Sequence, residues 1–304
     1  MSIVSNKLRD EISKIKDLLL EEDRELTKFS TMRAISHGSI IHVKSKDSLI
    51  ILVKTLFNHK CDFRLVGWGA NFVLPRTPNF ILLKLDFKFD KTLIDPKKSS
   101  FVLPASVSLH QLTSLATKYG FSGWEYFTGV PASLGGAIFM NAGTNLGEIG
   151  SLVKRVWVIN SSGVLREEIM NESSFGYRKN NFTRDGDTIV EAEIAHLGIS
   201  DAISPKIESY LKLRQDTQPL KEKTCGCMFK NNVFLEGHCP AGQFLDIMGL
   251  KGLSIDGFRI SPKHANFLEN SDSGHYDGLV SAMGFISKEL ESQYGVKFEQ
   301  EIRI

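Results

Sequence analysis

The chain has 304 residues, 42% hydrophobic and 24% charged, with a formal net charge of +2 at pH 7. That length allows two or three compact domains with cores of their own, and the near-neutral charge argues against a nucleic-acid binder that relies on bulk positive charge. The longest apolar runs, such as Leu49 to Val53, are far too short to span a bilayer, the opening residues carry no signal-peptide core, and the four cysteines (Cys61, Cys225, Cys227, Cys239) suit a reducing compartment. The expected location is therefore the cytoplasm, with neither nucleic acid nor membrane as partner.

In chain order, Leu8, Ile12, Ile15 and Leu19 recur at helical spacing and predict an amphipathic helix from about Lys7 to Glu22. A strand is predicted over Ile40 to Val43, then a helix from about Asp47 to Phe57 capped near Ser45. Phe63 to Val66 and Phe80 to Leu85 read as buried strands. Ser108 to Tyr119 is helical in pattern and stops at Gly120, a residue suited to a left-handed C-terminal cap. Strands follow over Val153 to Ile159 and Thr188 to Ala195. Ser204-Pro205 is a helix start, and the composition change at 199–205 marks a domain boundary. Pro240 opens a short helix through Ile247, and Leu279, Met283, Ile286 and Leu290 line a long final helix ended by Gly295, with an extended tail from Val296 to Ile304. Strands and helices mix without regular βαβ alternation, so the predicted class is α+β.

Two glycine-rich segments stand out. Gly67-Trp68-Gly69-Ala70-Asn71 follows a predicted strand, and two close glycines let main-chain N–H groups approach an anion such as a diphosphate. A Rossmann turn would need a third glycine and a following helix, whereas Phe72-Val73-Leu74-Pro75 follows here; a tight turn between strands explains the segment equally well. The second runs from Phe127 to Gly143 and is built of small residues, including Gly129, Pro131, Gly135, Gly136, Asn141, Ala142 and Gly143. Such a stretch suits main chain lying against a large flat ligand, with Asn141 offering side-chain hydrogen bonds; the alternative is a small-residue helix packed closely on a sheet.

This second segment resembles the flavin-binding signature G-I-P-G-x-x-G-G-A-x-x-x-N-A-G of the UDP-N-acetylenolpyruvoylglucosamine reductase (MurB) family, and Gly67 to Asn71 resembles that family's G-G-G-S-N loop. Phe175-Gly176-Tyr177-Arg178 is similar to its F-x-Y-R, Gly226 to Asn231 to its G-S-x-F-K-N, and Phe298 to Arg303 to its L-x-x-E-V-R, all in the family's order from about Ser30 onward. The resemblance implies a two-lobed FAD domain of the vanillyl-alcohol-oxidase (PCMH) type over residues 1–85 and 86–198, followed by a substrate domain over 199–304. It also implies the short form that lacks an extra substrate-covering loop. The implied activity is reduction of an enolpyruvyl ether of a UDP-sugar, with NADPH as hydride donor, FAD as carrier and no obligate protein partner.

By the same resemblance, Arg178, Cys227 and Glu301 are the catalytic candidates. Hydride addition to C3 of the enolpyruvyl group leaves charge over C2 and the carboxylate; Arg178 would stabilise it, Glu301 would hydrogen-bond it, and a positioned acid would protonate C2. The family usually has serine as that acid, and this chain has Cys227. A free thiol has a pKa of about 8.5, so a neutral thiol able to donate is expected in the resting site. Gly67, Gly69, Ala70, Asn71 and the residues of the second segment are implied for FAD, and Tyr177, Lys230, Asn231, Lys251 and His264 for substrate. Lysines suit a diphosphate as flexible point charges.

Departures from the family pattern are the missing glycine pair after Thr31-Met32-Arg33, Ala70 for serine, Asn145 for tyrosine and Asn232 for proline. Cys225, Cys227, His238 and Cys239 bring a zinc site to mind, but their spacing does not match the usual ligand pairs, and no metal is expected. Two other functions remain open on sequence: another FAD oxidoreductase of the same fold, and a non-catalytic binder of flavin or UDP-sugar.

Overall fold

The computed structural model describes residues 3–234 and 237–304, with the side chains of 232–239 outside the description. It divides into two units. The first comprises 1–22, 39–67 and 79–212, and the second 23–38, 68–78 and 213–304.

The chain opens with α1 (Asn6–Ser13), whose Leu8 and Ile12 are buried, and turns into β1 (Leu18–Glu25). The expected long N-terminal helix is therefore half helix and half strand. The helix stops at Ser13, and Asp17 takes a left-handed φ of 56° in the turn that leads into the strand. Leu18 to Leu20 then join a sheet, so Leu19 is 49% exposed instead of lying on an apolar helix face.

Next come β2 (His37–Val43), α2 (Lys46–Asn58), β3 (Phe63–Val66) and β4 (Ile81–Leu85). The Ser45 hydroxyl accepts from the Ser48 N–H and caps α2. The four strands form a sheet in the order β1-β2-β4-β3, with β4 parallel to both β2 and β3. Ile81, Leu82 and Leu83 are all buried, the near-continuous apolar run of a strand covered on both faces.

β5 (Ser100–Pro104), α3 (Leu109–Tyr119) and α4 (Leu134–Phe139) follow. In α3 Ser108 and Gln111 form a reciprocal capping box, and Gly120 closes the helix at φ 72°. Two short hairpins, β6 (Gly143–Thr144) with β7 (Gly147–Glu148) and β10 (Phe175–Gly176) with β11 (Lys179–Asn180), flank β8 (Val153–Ile159) and β9 (Leu165–Ile169). With β12 (Thr188–Ala195) they complete a second sheet, antiparallel, in the order β5-β12-β8-β9. One apolar core joins α1, α2, both sheets, α3 and α4, with Trp124, Phe121 and Leu112 fully buried in it.

α5 (Ile203–Thr217) leads out of this unit. The second unit holds the hairpin β13 (Asn232–Phe234) with β14 (Gly237–Cys239), then α6 (Ala241–Ile247) and the sheet β15 (Ser254–Ile255), β16 (Phe258–Ile260), β17 (Leu268–Asn270). Last comes α7 (Tyr276–Tyr294), closed by Gly295 at φ 65°. Leu279, Met283, Ile286 and Leu290 of α7 pack into a separate core with Met32, Val73, Met228, Phe229 and Ile302. Segments 23–38 and 68–78 thus belong to the C-terminal unit although they lie early in the chain.

Candidate functional site

In the first unit the Phe127–Gly143 segment is a tight turn followed by a short helix. Gly129 has a φ of 69°, and the Ser133 hydroxyl accepts from the Gly136 N–H at 3.3 Å as the cap of α4. The paired glycines differ. Gly135 is buried, its N–H donates to the Ala105 carbonyl at 2.8 Å, and a Cβ there would lie 2.8 Å from that of Ala105; it is needed for close packing. Gly136 is exposed, and a Cβ would meet only the Ser133 hydroxyl at 3.3 Å. Pro131 is exposed, and Gly129, Ala142 and Gly143 are partly so.

Asn141 does not offer its side chain outward. It is 1% exposed, with a left-handed φ of 42°. Its Nδ2 donates to Glu148 Oε2 at 2.8 Å and to the Gly176 carbonyl at 3.0 Å, and its Oδ1 accepts from the Gly150 N–H at 3.0 Å. The amide therefore ties the small-residue segment to the hairpin that carries Tyr177 and Arg178. Arg178 is the second central residue of the turn between β10 and β11, at φ 53°, a conformation that costs a non-glycine residue on the order of 1 kcal/mol. Its guanidinium stacks over the Tyr177 ring at 5.3 Å. A Cβ on Gly143 would lie 3.3 Å from Arg178 Nη1 and 2.6 Å from Glu148 Cγ, so the absence of a side chain at 143 makes room for both.

The second unit places its candidates by main chain. The Met228 N–H donates to the Asn266 carbonyl at 2.8 Å, the Glu301 N–H to the Met228 carbonyl at 2.8 Å, and the Lys230 N–H to the Glu299 carbonyl at 2.8 Å. The Arg303 N–H donates to the Asn71 carbonyl at 3.1 Å, and the Val73 N–H to the Arg303 carbonyl at 3.0 Å. Segments 71–73, 299–303, 227–230 and 266–267 thus form a ladder in that order, with Cys227 bridged to Phe267 and Phe229 to Gln300. Cys227 and Glu301, 74 positions apart in sequence, lie on adjacent rungs, and both are partly exposed. Asn266 is buried and clamps Phe229 at both ends: its Oδ1 accepts the Phe229 N–H at 3.0 Å and its Nδ2 donates to the Phe229 carbonyl at 2.8 Å.

Lys230 is 16% exposed and paired at 2.6 Å with Glu299, itself 71% exposed. Lys251 pairs with Asp246 at 2.8 Å. The Asn231 Oδ1 accepts the Ala241 N–H at 3.0 Å and so caps α6. His264 Nδ1 accepts the Asn266 N–H at 3.2 Å, which puts the ring proton on Nε2. Burial lowers the pKa of His264 and nearby Lys251 adds to this, so the ring is neutral at pH 7.

Gly69 has a φ of 65°, and a Cβ there would fall 2.0 Å from the Phe29 carbonyl oxygen and 2.7 Å from Ser30 Cα. Its carbonyl accepts from the Thr31 N–H at 3.0 Å. The Cys225 thiol sits within 3.6 Å of the Ser30 hydroxyl and the carbonyls of Gly69 and Phe72, and desolvation pushes its pKa up. It acts as a buried fastener and not as a reactive group.

Residues 218–304 match the model of the UDP-N-acetylenolpyruvoylglucosamine reductase C-terminal domain, and residues 39–167 that of an FAD binding domain. The UDP-N-acetylenolpyruvoylglucosamine reductase of Carboxydothermus hydrogenoformans is 32% identical over 98% of this chain and 98% of its own length. The chain belongs to the UDP-N-acetylenolpyruvoylglucosamine reductase family. The reductase of Chlamydia abortus is 30% identical over 92% of each chain. In three dimensions the crystal structure of the Thermus caldophilus reductase superposes with a TM-score of 0.77 at 25% identity, covering 94% of this chain and all of that one.

The residues present fit the flavin that the FAD binding domain takes. Asn71 Nδ2 is buried with no hydrogen-bond partner among the described residues, a donor waiting for an acceptor. No cluster of three His, Cys, Asp or Glu side chains able to hold a metal occurs among the described residues, and the side chains of His238, Cys239 and Asn232 lie outside them. No helix among the described residues is long and apolar enough to cross a membrane.

Of the departures from the family pattern, Asn145 is exposed at the tip of the β6–β7 hairpin and Ala70 is partly buried. Sequence reasoning passed over Glu148 and Asn266. A lone carboxylate in an otherwise neutral small-residue stretch was the available signal for Glu148. For Asn266 there was none, because its role depends on a strand 37 positions away.

Proposed function

We propose that the chain reduces UDP-N-acetylglucosamine enolpyruvate to UDP-N-acetylmuramate in peptidoglycan precursor synthesis, in the cytoplasm, with NADPH as electron donor. The observation that supports it most is the ladder setting Cys227 and Glu301 on adjacent rungs, with the Asn71 loop on the next segment. Residues 1–85 and 86–198 serve as the flavin lobes and 199–304 as the substrate domain. Gly67, Gly69, Ala70 and Asn71, with Gly129, Pro131, Gly136, Ala142 and Gly143, hold the flavin; Gly135 and Asn141 shape that surface from behind.

FAD held by these residues would supply hydride transfer between NADPH and C3 of the enolpyruvyl group. Arg178 binds the substrate carboxylate and stabilises the charge that develops over it and C2. The Glu301 carboxyl, protonated, hydrogen-bonds the same group. The Cys227 thiol gives its proton to C2, so one hydride and one proton complete the new C–H bonds, and the thiolate recovers a proton from water.

Lys230 and Lys251 bind the diphosphate. Each is held now by an exposed carboxylate, a pairing worth at most about 1 kcal/mol, so exchange for a diphosphate is cheap. Neutral His264 donates through Nε2 to a substrate oxygen, Tyr177 lines the approach to Arg178, and Asn231 keeps α6 in place beside Lys230.

An absorption spectrum of the purified protein tests the scheme. Flavin absorbance that bleaches with NADPH and returns on adding the enolpyruvyl substrate supports it. Bound flavin that NADPH leaves oxidised, or that the substrate fails to re-oxidise, rules it out.

A further inference from the structure

Lys84 lies on β4 in register with Val66, and its Nζ donates to the Gly67 carbonyl at 3.1 Å. It is partly buried, and no carboxylate lies within 4 Å of its ammonium among the described residues. The other partly buried lysines differ: Lys46 meets Glu191 at 2.7 Å and Lys230 meets Glu299 at 2.6 Å. Asp86, two residues along the same strand, is turned to His42 Nδ1 at 2.6 Å. Burial accordingly lowers the pKa of Lys84, opposed only by the more distant charge of Asp86. A desolvated cation without an anion is costly. Its ammonium has three donors and the Gly67 carbonyl takes one.

Its place on the chain says which anion it can meet. Gly67 begins the first glycine loop, and a Cβ on it would lie 2.4 Å from the hydroxyl of Ser133, the cap of α4 in the second glycine segment. Lys84 therefore sits beneath the point where the first glycine segment, at Gly67, meets the second, at Ser133.

We propose that the Lys84 ammonium contacts the diphosphate of bound FAD while holding the Gly67 carbonyl. This rests on the flavoenzyme reading above, and the test separates the two. The FAD dissociation constant of the full chain, and the ³¹P spectrum of the holoprotein, are measured for wild type, Lys84→Met and Lys84→Gln. Loss of a charge-assisted hydrogen bond predicts FAD binding weaker by about 10- to 100-fold in both variants. The ³¹P resonances of bound FAD should move, and the NADPH KM should not. Lys84→Gln keeps a donor for Gly67 and carries the comparison if the Met variant does not fold. Unmoved ³¹P resonances overturn the contact whatever happens to affinity, because a purely structural lysine would leave the diphosphate environment unchanged. A raised NADPH KM with unaltered FAD binding overturns it in favour of the other dinucleotide. A wild-type chain that binds no FAD overturns the flavoenzyme reading itself, and this contact with it.

Discussion

In the first unit Arg178 is placed by side chains: Asn141 holds the Gly176 carbonyl and Glu148 within a stretch of 38 residues, and the arginine sits in a turn conformation that glycine would prefer. In the second, Cys227 and Glu301 are placed by main-chain bonds between segments far apart in sequence, and neither side chain is needed to form the ladder. The two regions should therefore respond differently to substitution. In the ladder, function separates cleanly from stability. In the hairpin, the two trade against each other.

The largest effect is expected in the ladder. Cys227→Ala should lower turnover about 10²- to 10⁴-fold, the usual worth of a positioned acid, with the urea midpoint and the rate of flavin reduction by NADPH unchanged. Cys227→Ser should recover most of the turnover. Full turnover by the alanine variant would remove Cys227 from the proton step.

Arg178→Gly should cost about 10²- to 10³-fold in turnover through lost charge stabilisation and yet be more stable than Arg178→Ala by about 1 kcal/mol, since glycine accepts the positive φ. A glycine variant no more stable than the alanine variant would contradict the strain at this turn. Asn141→Ala leaves the Gly176 carbonyl and the Gly150 N–H without their partner; a loss of about 2–4 kcal/mol is expected in chemical denaturation. A turnover loss approaching about 10²-fold, from a displaced Arg178, should accompany it. If stability falls and turnover per folded molecule does not, the asparagine is structural only.

The smallest effect concerns pH. The folded pKa of His264 lies below its unfolded value near 6.5, so above that pH the group imposes no cost. As pH falls from there toward the folded pKa, the unfolded chain takes up a proton that the native ring resists, and stability declines. An NMR titration of His264 should give a midpoint below that of a free histidine; a midpoint above it would show that Asp246, rather than burial, governs the ring.

Much of the fold was legible along the chain. The caps at Ser45, Ser108, Gly120 and Gly295, and the apolar stripe of the last helix, are local signals, because a helix end is satisfied by residues three or four positions away. The first helix misled because Leu8, Ile12, Ile15 and Leu19 fit a helical period, while a left-handed Asp17 and pairing with β2 turned the second half into strand. Pairing partners are non-local, and periodicity carries no trace of them.

The site divides the same way. The sequence alone determined the residue types, the family motifs and the two glycine segments, since those are properties of short stretches. Only the tertiary structure decided that Gly135 is used up in packing on Ala105, that the Asn141 amide is spent on Glu148 and Gly176, and that Lys84 lies beneath Gly67 without a carboxylate within 4 Å among the described residues. Each of these turns on what stands within a few ångströms in space, and contacts between residues distant in sequence are set by folding, not by their neighbours on the chain.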